Sequence, residues 1–354
     1  MAKEFMIGAD VSSLQAMEDY GAKYFDFDGV EKDALEILQS HGVNYIRLRI
    51  WNEPETSFDR GDYCNLENSI AVAKRAKALG MKLLLDFHYS DSWADWKNQH
   101  LPKKWVNMSM EQVENAVYQF TRETLEKLYQ ENAYPDVVQI GNEIGCGLLW
   151  PHGDLEHPEN IAKLLNAGII AVQEAETGDN KAEIMLHVES GGNTEATETF
   201  FMMLGDYGLK HYDIIGLSYY PYWAGKYPCL LRNMQNIQRK LEKKVVVVET
   251  AFPYTDDSHD TTPNVVTGEL TRKEMQLEPS EENQRRVTEE IIQMVYQEDN
   301  GYGVFYWEPV WYCLQGVGAM KDLGNEWENQ AVFDHTGKAL EGLHAFEILE
   351  SKEV

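Results

Sequence analysis

Short apolar runs alternate with amphipathic patterns along almost the whole chain, and this pair of patterns recurs eight times. The apolar runs predict strands at 5–9, 45–50 and 81–87, within 137–146, and at 184–187, 212–218, 245–248 and 303–306. Apolar residues spaced three and four apart predict helices at 30–41, 66–79, 110–130, 158–176, 194–204, 231–241, 280–297 and 338–349. Eight strands that alternate with helices in this way predict an α/β fold, a single (β/α)8 TIM barrel.

The length and composition suit one such barrel. The 354 residues are 43% hydrophobic and 25% charged, which is enough apolar material for a core. No linker-like segment, low-complexity tract or long internal repeat interrupts the chain, so we predict one domain over residues 1–354. A doubly wound open sheet is the rival fold, but no G-x-G-x-x-G motif follows the first predicted strand.

The chain is strongly acidic, with 59 Asp and Glu against 31 Lys and Arg and a formal net charge of −28. Such a surface repels nucleic acid and anionic membranes, because binding to either needs basic patches. We therefore expect a neutral ligand, and a monomer. No apolar run approaches the length of a membrane span. No signal peptide is recognised before the first strand, so we expect a cytoplasmic protein, or a secreted one whose leader is absent from this sequence.

Metal chemistry and a disulfide framework are disfavoured by the spacing of the candidate ligands. The four cysteines are widely separated and form no C-x-x-C motif, so buried thiols are expected. His88 and His187 lie two predicted strands apart without a His-x-His motif, which argues against a zinc-dependent hydrolase.

The stretch 137–146 carries the most unusual carboxylate of the chain. It predicts a short buried strand that ends with Asn142 and Glu143. Taken alone, Glu143 could be a solvated or Arg-paired residue at a strand exit, or a functional carboxylate. Glu249 follows the seventh predicted strand in the same way. Because active sites of (β/α)8 barrels lie at the carboxyl ends of the strands, the two carboxylates would face each other across one opening.

Two facing carboxylates suit glycoside hydrolysis. One must be protonated to release the leaving oxygen, and the other must be ionised to attack or stabilise the anomeric carbon. Each negative charge raises the pKa of the other carboxyl, so one proton is shared unequally. We expect Arg49 to lie near Glu249 and keep it ionised, which leaves the proton on Glu143. Tyr220 could hold Glu249 in place, and Asn142 could hydrogen-bond the 2-hydroxyl of a sugar.

Polar and aromatic residues close the predicted strands at one end and are candidates for substrate contacts. Each has a plainer explanation when taken alone, such as a buried core histidine or a packing tryptophan. Their joint placement favours a binding site, because flat aromatic side chains pack well against the apolar faces of sugar rings. The predicted substrate-binding residues are Arg49, His88, Asp91, Trp93, Asn142, His187, Tyr219, Tyr220, Trp223 and Trp307.

Seven motifs span nearly the whole chain: G-A-D-V-S at 8–12, R-L-R-I-W at 47–51, D-F-H-Y-S-D-S-W-A-D at 86–95, Q-I-G-N-E at 139–143, G-L-S-Y-Y-P at 216–221, V-E-T at 248–250 and W-E-N-Q-A at 327–331. They resemble those of the arabinogalactan endo-β-1,4-galactanases, glycoside hydrolase family 53, within the clan of retaining (β/α)8 enzymes. The third and last motifs are the most specific. The resemblance implies Glu143 as general acid/base and Glu249 as nucleophile, with retention of configuration. It also implies an endo-acting enzyme on β-1,4-galactan of pectin that needs no cofactor for catalysis.

The resemblance also bears on metal binding. Some bacterial members look to carry a calcium ion between the loops after strands seven and eight, through an Asp-x-Asp-x-His run. Here Asp257 and His259 match that run, whereas Thr255 stands where the earlier Asp would fall. A structural calcium ion is one interpretation, since carboxylate oxygens suit calcium. A solvated acidic loop is the other.

Two other functions stay open on the sequence. Another enzyme of the same clan, such as a mannanase or cellulase, would share the carboxylate pair. A catalytically silent sugar-binding barrel would ordinarily have lost one of the two carboxylates, and both are present here.

Overall fold

Eight parallel strands form a closed barrel at the centre of the molecule. The computed structural model describes residues 4–54, 61–178, 180–318 and 324–349. The barrel strands are β1 (Met6–Asp10), β2 (Tyr45–Ile50), β3 (Lys82–Phe87), β4 (Val137–Ile140), β5 (Glu183–Val188), β6 (Ile214–Ser218), β7 (Lys244–Thr250) and β8 (Gly301–Trp307). They follow chain order around the circle, and β8 closes it by pairing with β1. The predicted (β/α)8 barrel is confirmed.

Helices occupy the connections and pack around the barrel. They are α1 (Leu14–Asp19), α2 (Ala34–Ser40), α3 (Leu66–Ala78), α4 (Met110–Gln130), α5 (Pro158–Ala175), α6 (Thr194–Asp206), α7 (Tyr227–Leu241), α8 (Gly268–Met275) and α9 (Glu281–Gln297). Local chemistry sets several starts: Ser109 and Gln112 form a reciprocal capping box before α4. Pro158 opens α5, where the missing N–H leaves no helical bond unmade. Among the described residues, no helix combines the length and apolar character of a membrane span.

The predicted helix at 30–41 begins later than expected. The side chain of Asp33 accepts a hydrogen bond from the Leu35 N–H at 2.8 Å and caps α2 there. The residues before the cap, Glu31–Lys32, pair instead with Tyr24–Phe25 in a short antiparallel hairpin. Local capping thus overrides the helical spacing of the apolar residues before it.

The predicted last helix at 338–349 is a 3₁₀ segment, Glu341–Glu347. Gly342 lies in its first turn, and glycine lowers the propensity for a regular α-helix. A Cβ at this position would lie 2.1 Å from Gln284 Oε1 on α9, so the close approach itself requires glycine. The segment and α9 therefore pack more tightly than a regular helix with a side chain at 342 would allow.

Side chains fill the barrel interior below its mouth. This inner layer consists of Met6, Tyr45, Leu84, Val137, Met185, Ile214, Val246, Val248 and Phe305. Gly8 on β1 makes room for an aromatic ring of this layer, since a Cβ at Gly8 would lie 2.1 Å from the Phe305 ring. The larger core lies outside the barrel, between strands and helices. The polar side chains that point inward are consequently concentrated above the layer, toward the carboxyl ends of the strands.

We predict that Gly8→Ala destabilises the protein by about 1–3 kcal/mol, because the added methyl group must displace a ring in a packed core. Urea unfolding of the variant and the wild type measures the difference. Gly205→Ala is the matched control: Gly205 lies in α6, and an added Cβ meets no atom within 4 Å. That change should leave stability unchanged or raise it slightly. Equal stability of the two variants would contradict the packing argument.

Candidate active site

An open cavity of about 580 Å³ lies at the carboxyl ends of the strands. Both carboxylates singled out from the sequence, Glu143 and Glu249, line it. The full lining comprises Arg47, Arg49, His88, Trp93, Ala94, Asp95, Trp96, Asn142, Glu143, Glu189, Ser218, Tyr220, Trp223, Ala224, Glu249, Trp307, Trp311, Glu326 and Trp327. Charged groups therefore lie at the centre of a cavity with many aromatic rings.

An unusual backbone turn delivers Glu143 to the cavity. β4 ends at Ile140, and Gly141 follows with a φ of +81°. Glu143 itself adopts the left-handed region at φ 47° and ψ 51°, which costs a non-glycine residue free energy. A 3₁₀ turn, Ile144–Cys146, then fixes the exit of the chain. Strain of this kind persists where the surrounding structure holds a functional side chain in place.

Arg47 on β2 holds Glu249 from below. The Arg47 Nη1 donates to Glu249 Oε1 at 2.8 Å and to Asp10 Oδ2 at 2.9 Å. Its Nη2 donates to Asp86 Oδ2 at 2.9 Å and to Asn142 Oδ1 at 2.8 Å. The Arg47 side chain is only 1% exposed, so these charge-assisted bonds form away from bulk water. One guanidinium thus links the ends of four strands.

The expectation that Arg49 lies beside Glu249 is wrong. Arg49 donates to Glu308 Oε1 at 2.5 Å, and its guanidinium lies 4.3 Å from the Trp93 ring and 5.8 Å from the Trp307 ring. Residues two apart on a strand share a face, so sequence spacing could not decide which of two inward arginines reaches the carboxylate. Arg49 instead supports the aromatic part of the cavity wall.

The two carboxyl groups differ in their surroundings. Burial, together with the charge of Glu249, raises the pKa of Glu143 to about 8. Burial raises the pKa of Glu249 as well, but the Arg47 guanidinium opposes that rise. Tyr220 adds a hydrogen bond from its hydroxyl to Glu249 Oε2 at 3.2 Å. The proton shared by the pair therefore belongs on Glu143, with Glu249 ionised.

Ser218 at the end of β6 touches both carboxylates. Its Oγ lies 2.7 Å from Glu143 Oε1 and 3.4 Å from Glu249 Oε2. His187 lies behind it, with Nε2 2.9 Å from Ser218 Oγ and Nδ1 2.9 Å from Asn142 Oδ1. Burial lowers the pKa of His187 well below its usual value, so the neutral ring carries one proton. When Ser218 donates to Glu143, its oxygen can accept a hydrogen bond from His187 Nε2–H. When Glu143 donates to Ser218, the serine can donate to Nε2, and the ring proton then lies on Nδ1.

Seven of the ten predicted substrate contacts line the cavity: Arg49, His88, Trp93, Asn142, Tyr220, Trp223 and Trp307. Asp91, His187 and Tyr219 are not among its lining residues. The Asp91 carboxylate accepts hydrogen bonds from two loop amides at 2.9 and 2.8 Å. Tyr219 is fully buried, and its hydroxyl donates to the Gly225 carbonyl at 2.6 Å. These three side chains organise the loops and the layer beneath the cavity rather than face it.

Sequence reasoning missed several polar residues that hold the site together: Arg47, Asp86, Gln139, Ser218 and Glu308. Two of them carried a signal, since Asp86 and Gln139 are polar residues inside otherwise apolar predicted strands. Their side chains meet, and Gln139 Nε2 donates to Asp86 Oδ1 at 2.6 Å. Ser218 carried no signal, because a serine at a strand end is common.

The predicted calcium ligands do not converge in this structure. Asp257 and His259 are exposed, and the ring of His259 stacks on His335 at a centroid distance of 4.0 Å. Among the described residues, neither belongs to a group of three or more His, Cys, Asp or Glu side chains whose ligand atoms lie within 4.8 Å of one another. Exposed side chains of this kind agree with the solvated acidic loop, and the calcium interpretation stays a prediction.

A buried carboxylate pair at the mouth of a (β/α)8 barrel, with one proton favoured on a single member and aromatic side chains around both, defines a glycoside hydrolase. The chain belongs to glycosyl hydrolase family 53, whose family model matches residues 6–346. The family inferred from the motifs is confirmed.

Relatives agree with this assignment over most of their length. The chain is 33% identical to the arabinogalactan endo-β-1,4-galactanase of Cellvibrio japonicus, over 94% of this chain and 88% of that protein. The structure of the GH53 catalytic domain of Ignisphaera aggregans superimposes with a TM-score of 0.93 at 37% identity, covering 98% and 96% of the two chains. A fungal β-1,4-galactanase structure gives a TM-score of 0.84 at 30% identity, covering 97% and 98%.

The raised pKa of Glu143 predicts a pH dependence of stability. A carboxyl group whose pKa rises on folding binds its proton more tightly in the folded state. Its contribution to stability is complete below the unfolded pKa of about 4.5 and is lost as the pH rises through about 8. The free energy of unfolding of the wild type, relative to Glu143→Gln, should therefore fall between pH 5 and pH 9.

Urea unfolding at a series of pH values tests this expectation. Glu123→Gln, which removes a carboxylate at an exposed position of α4, is the matched control. A pH-independent difference between Glu143→Gln and the wild type would show that the carboxyl group titrates alike in both states.

Proposed function

We propose that the protein hydrolyses β-1,4-galactosidic bonds within galactan, with retention of anomeric configuration. Glu143 is the general acid/base and Glu249 is the nucleophile. The observation that carries the proposal is the unequal carboxylate pair, in which Arg47 and Tyr220 hydrogen-bond only one member. An ionised carboxylate and a protonated one are the two groups that the double displacement needs.

The reaction runs in two displacements. Glu143 gives its proton to the glycosidic oxygen while the bond from that oxygen to the anomeric carbon breaks. A carboxylate oxygen of Glu249 bonds to the same carbon from the opposite face. Glu143, now ionised, takes a proton from water as the water oxygen attacks the anomeric carbon and releases Glu249. The cycle ends with the proton on Glu143 and the starting configuration at the anomeric carbon.

The spacing of the carboxylates supports retention. Ser218 Oγ is 2.7 Å from an oxygen of Glu143 and 3.4 Å from an oxygen of Glu249. These two carboxylate oxygens can be no farther apart than the sum of the two distances. Such a close approach suits a retaining pair, since an inverting enzyme must fit a water molecule between its two carboxyl groups.

We expect Asn142 to contact the sugar next to the cleaved bond. Its Oδ1 accepts from Arg47 and its Nδ2 donates to the Ala94 carbonyl at 2.9 Å. An amide nitrogen has two protons, so one is left for a ligand in the cavity. A bond from this group to the 2-hydroxyl would strengthen as charge develops at the anomeric carbon.

The surroundings of the pair favour a neutral polysaccharide. Exposed tryptophan rings, such as Trp223 at 51% and Trp96 at 49%, offer flat surfaces beside the cavity. They suit the apolar faces of consecutive sugars. The net charge of −28 disfavours a polyanion such as the acidic backbone of pectin. The choice of galactan among neutral polymers rests on the named activity of the relatives.

Sizing the products released from linear β-1,4-galactan, β-1,4-mannan and cellulose tests the substrate. We expect oligosaccharides of several lengths to appear early from galactan, as internal cleavage requires, and negligible release from the other two polymers. The variant Glu249→Gln should lose at least about 10³-fold in turnover, because it removes the attacking oxygen. Faster release from mannan or cellulose than from galactan would overturn the substrate assignment.

Replacing Glu143 with Ala separates the two carboxylates by role. With natural galactan, the loss of the acid should slow the first displacement by about 10²–10⁴-fold. An aryl galactoside with a good leaving group needs little protonation, so formation of the glycosyl enzyme should be largely spared. Pre-steady-state release of the aryl alcohol measures this step.

Asp95→Ala is the matched control, since Asp95 lines the same cavity but does not touch either carboxylate through the hydrogen bonds described. Asp95→Ala should change the rates on galactan and on the aryl galactoside by the same factor. A loss for Glu143→Ala that is equal for galactan and the activated substrate would remove the acid role from Glu143.

A further inference from the structure

We propose that a second site on this protein binds a zinc ion, held by His41, His344 and Glu347. The three side chains come from segments far apart in sequence. His41 follows the last residue of α2, and His344 and Glu347 lie in the 3₁₀ segment Glu341–Glu347. One nitrogen or oxygen atom from each lies within 4.8 Å of the other two.

The cluster lies away from the carboxylate pair. α2 ends immediately before β2 begins at Tyr45, so His41 is at the amino-terminal end of the barrel strands. The catalytic side of a (β/α)8 barrel is the carboxyl end, and conserved chemistry at the amino end usually serves stability. A metal ion here would therefore join parts of the chain rather than take part in the hydrolysis.

The orientation of His41 is the strongest argument. Its Nε2 lies 2.9 Å from Asp26 Oδ1, and its Nδ1 lies 2.5 Å from Glu347 Oε1. If Nε2–H donates to Asp26, the lone pair of Nδ1 points toward Glu347 and the second imidazole. Metal-binding histidines almost always donate their other N–H to a carboxylate or carbonyl in this way.

Asp26 is itself held in place as such an acceptor. Its Oδ1 accepts from the Phe27 N–H at 2.8 Å, and its Oδ2 accepts from Lys32 Nζ at 2.7 Å. Both partners belong to the hairpin of Tyr24–Phe25 and Glu31–Lys32 and the turn that connects its strands. The hairpin therefore fixes the ring of His41 before any ligand arrives.

His344 and Glu347 present their ligand atoms on one face. Residues three apart eclipse one another in a 3₁₀ segment, and His344 Nδ1 lies 3.0 Å from Glu347 Oε1. Phe27 stacks flat on the His344 ring, with 4.3 Å between centroids and 4° between planes. This contact restricts rotation of the imidazole, so its Nδ1 stays directed at the cluster.

Two imidazoles and one carboxylate form a ligand set that suits zinc, with water in the fourth position. Ligand atoms of a tetrahedral zinc site lie about 3.3 Å apart, given bonds of about 2.0–2.1 Å. To reach that spacing, the contact from His344 to Glu347 must open by about 0.3 Å and the contact from His41 to Glu347 by about 0.8 Å. The side chains are 13%, 29% and 37% exposed, so an ion can enter from solvent.

Without zinc the same groups form a hydrogen-bonded cluster, in which His41 bridges Asp26 and Glu347. The two states differ in what they predict, because only the zinc site needs both imidazoles. Titration of Zn²⁺ into the chelator-treated full-length protein at pH 7.5, followed by calorimetry, should show one equivalent bound. With free zinc about 100-fold above its dissociation constant, the Tm should rise by about 3–4 °C.

Variants locate the site. His344→Gln and Glu347→Gln should each weaken binding more than 10-fold, and Asp26→Asn should weaken it about 10–100-fold by releasing the ring of His41. His157→Gln is the matched control, since His157 pairs with Asp154 on the surface at 2.8 Å with no second histidine described beside it. It should bind zinc as the wild type does. Cobalt(II) in place of zinc should give visible absorption bands typical of four-coordinate nitrogen and oxygen ligands.

Three outcomes would overturn the proposal. The first is no heat of binding and no change in Tm with Zn²⁺, which leaves the hydrogen-bonded cluster alone. The second is binding by His344→Gln and Glu347→Gln with the affinity of the wild type. The third is loss of binding in Cys313→Ser but not in His344→Gln, which would place the ion among Asp260, Cys313 and Glu328, the other described group with converging ligand atoms.

Discussion

The active site depends on the buried guanidinium of Arg47. The guanidinium of Arg47 sits inside the barrel with its hydrogen-bond donors directed at Asp10, Asp86 and Glu249, and at two amide oxygens. A charge at this depth is tolerated only if ionised partners and hydrogen bonds surround it. Those partners come from different strands, so closure of the barrel and neutralisation of the arginine require each other. The position of Glu249 follows from this mutual requirement rather than from the loop that contains it.

The inequality of the two carboxylates arises from the same feature. Glu249 is within reach of Arg47, whereas Glu143 is carried out of reach by the left-handed turn after β4. Close packing surrounds that turn: a Cβ at Gly141 would overlap Ile144, and one at Gly145 would overlap the carboxylate of Glu189. Backbone geometry on one strand and a guanidinium on another thus set the proton distribution together.

Periodicity was enough to predict the barrel, because eight alternations of strand and helix leave few other folds. The ends of the predicted strands were enough to single out the two carboxylates, since Glu143 and Glu249 each end an apolar run. The partners of the carboxylates were harder to predict. Arg47 and Arg49 are two residues apart on β2, so their side chains lie on the same face of the strand. The two residues differ in their height inside the barrel, and this height decides which of them reaches Glu249. Ser218 and His187 act through contacts across neighbouring strands, and register between strands is not visible in one sequence. The calcium interpretation stays a prediction, because it rests on a short run of residues in which the side chains of Asp257 and His259 are exposed.

The position of Ser218 between the two carboxylates has a consequence for the order of events in the reaction. Its one hydroxyl proton can point to only one acceptor at a moment, and it lies within reach of both Glu143 and Glu249. Under the proposed mechanism, Glu143 becomes an anion at the instant when Glu249 loses its charge to the ester bond. The hydroxyl is then free to turn fully toward Glu143, while His187 Nε2 stays 2.9 Å behind it. The Ser218 hydroxyl would thus change its hydrogen-bond acceptor twice in every turnover, once in each displacement, without gaining or losing a proton.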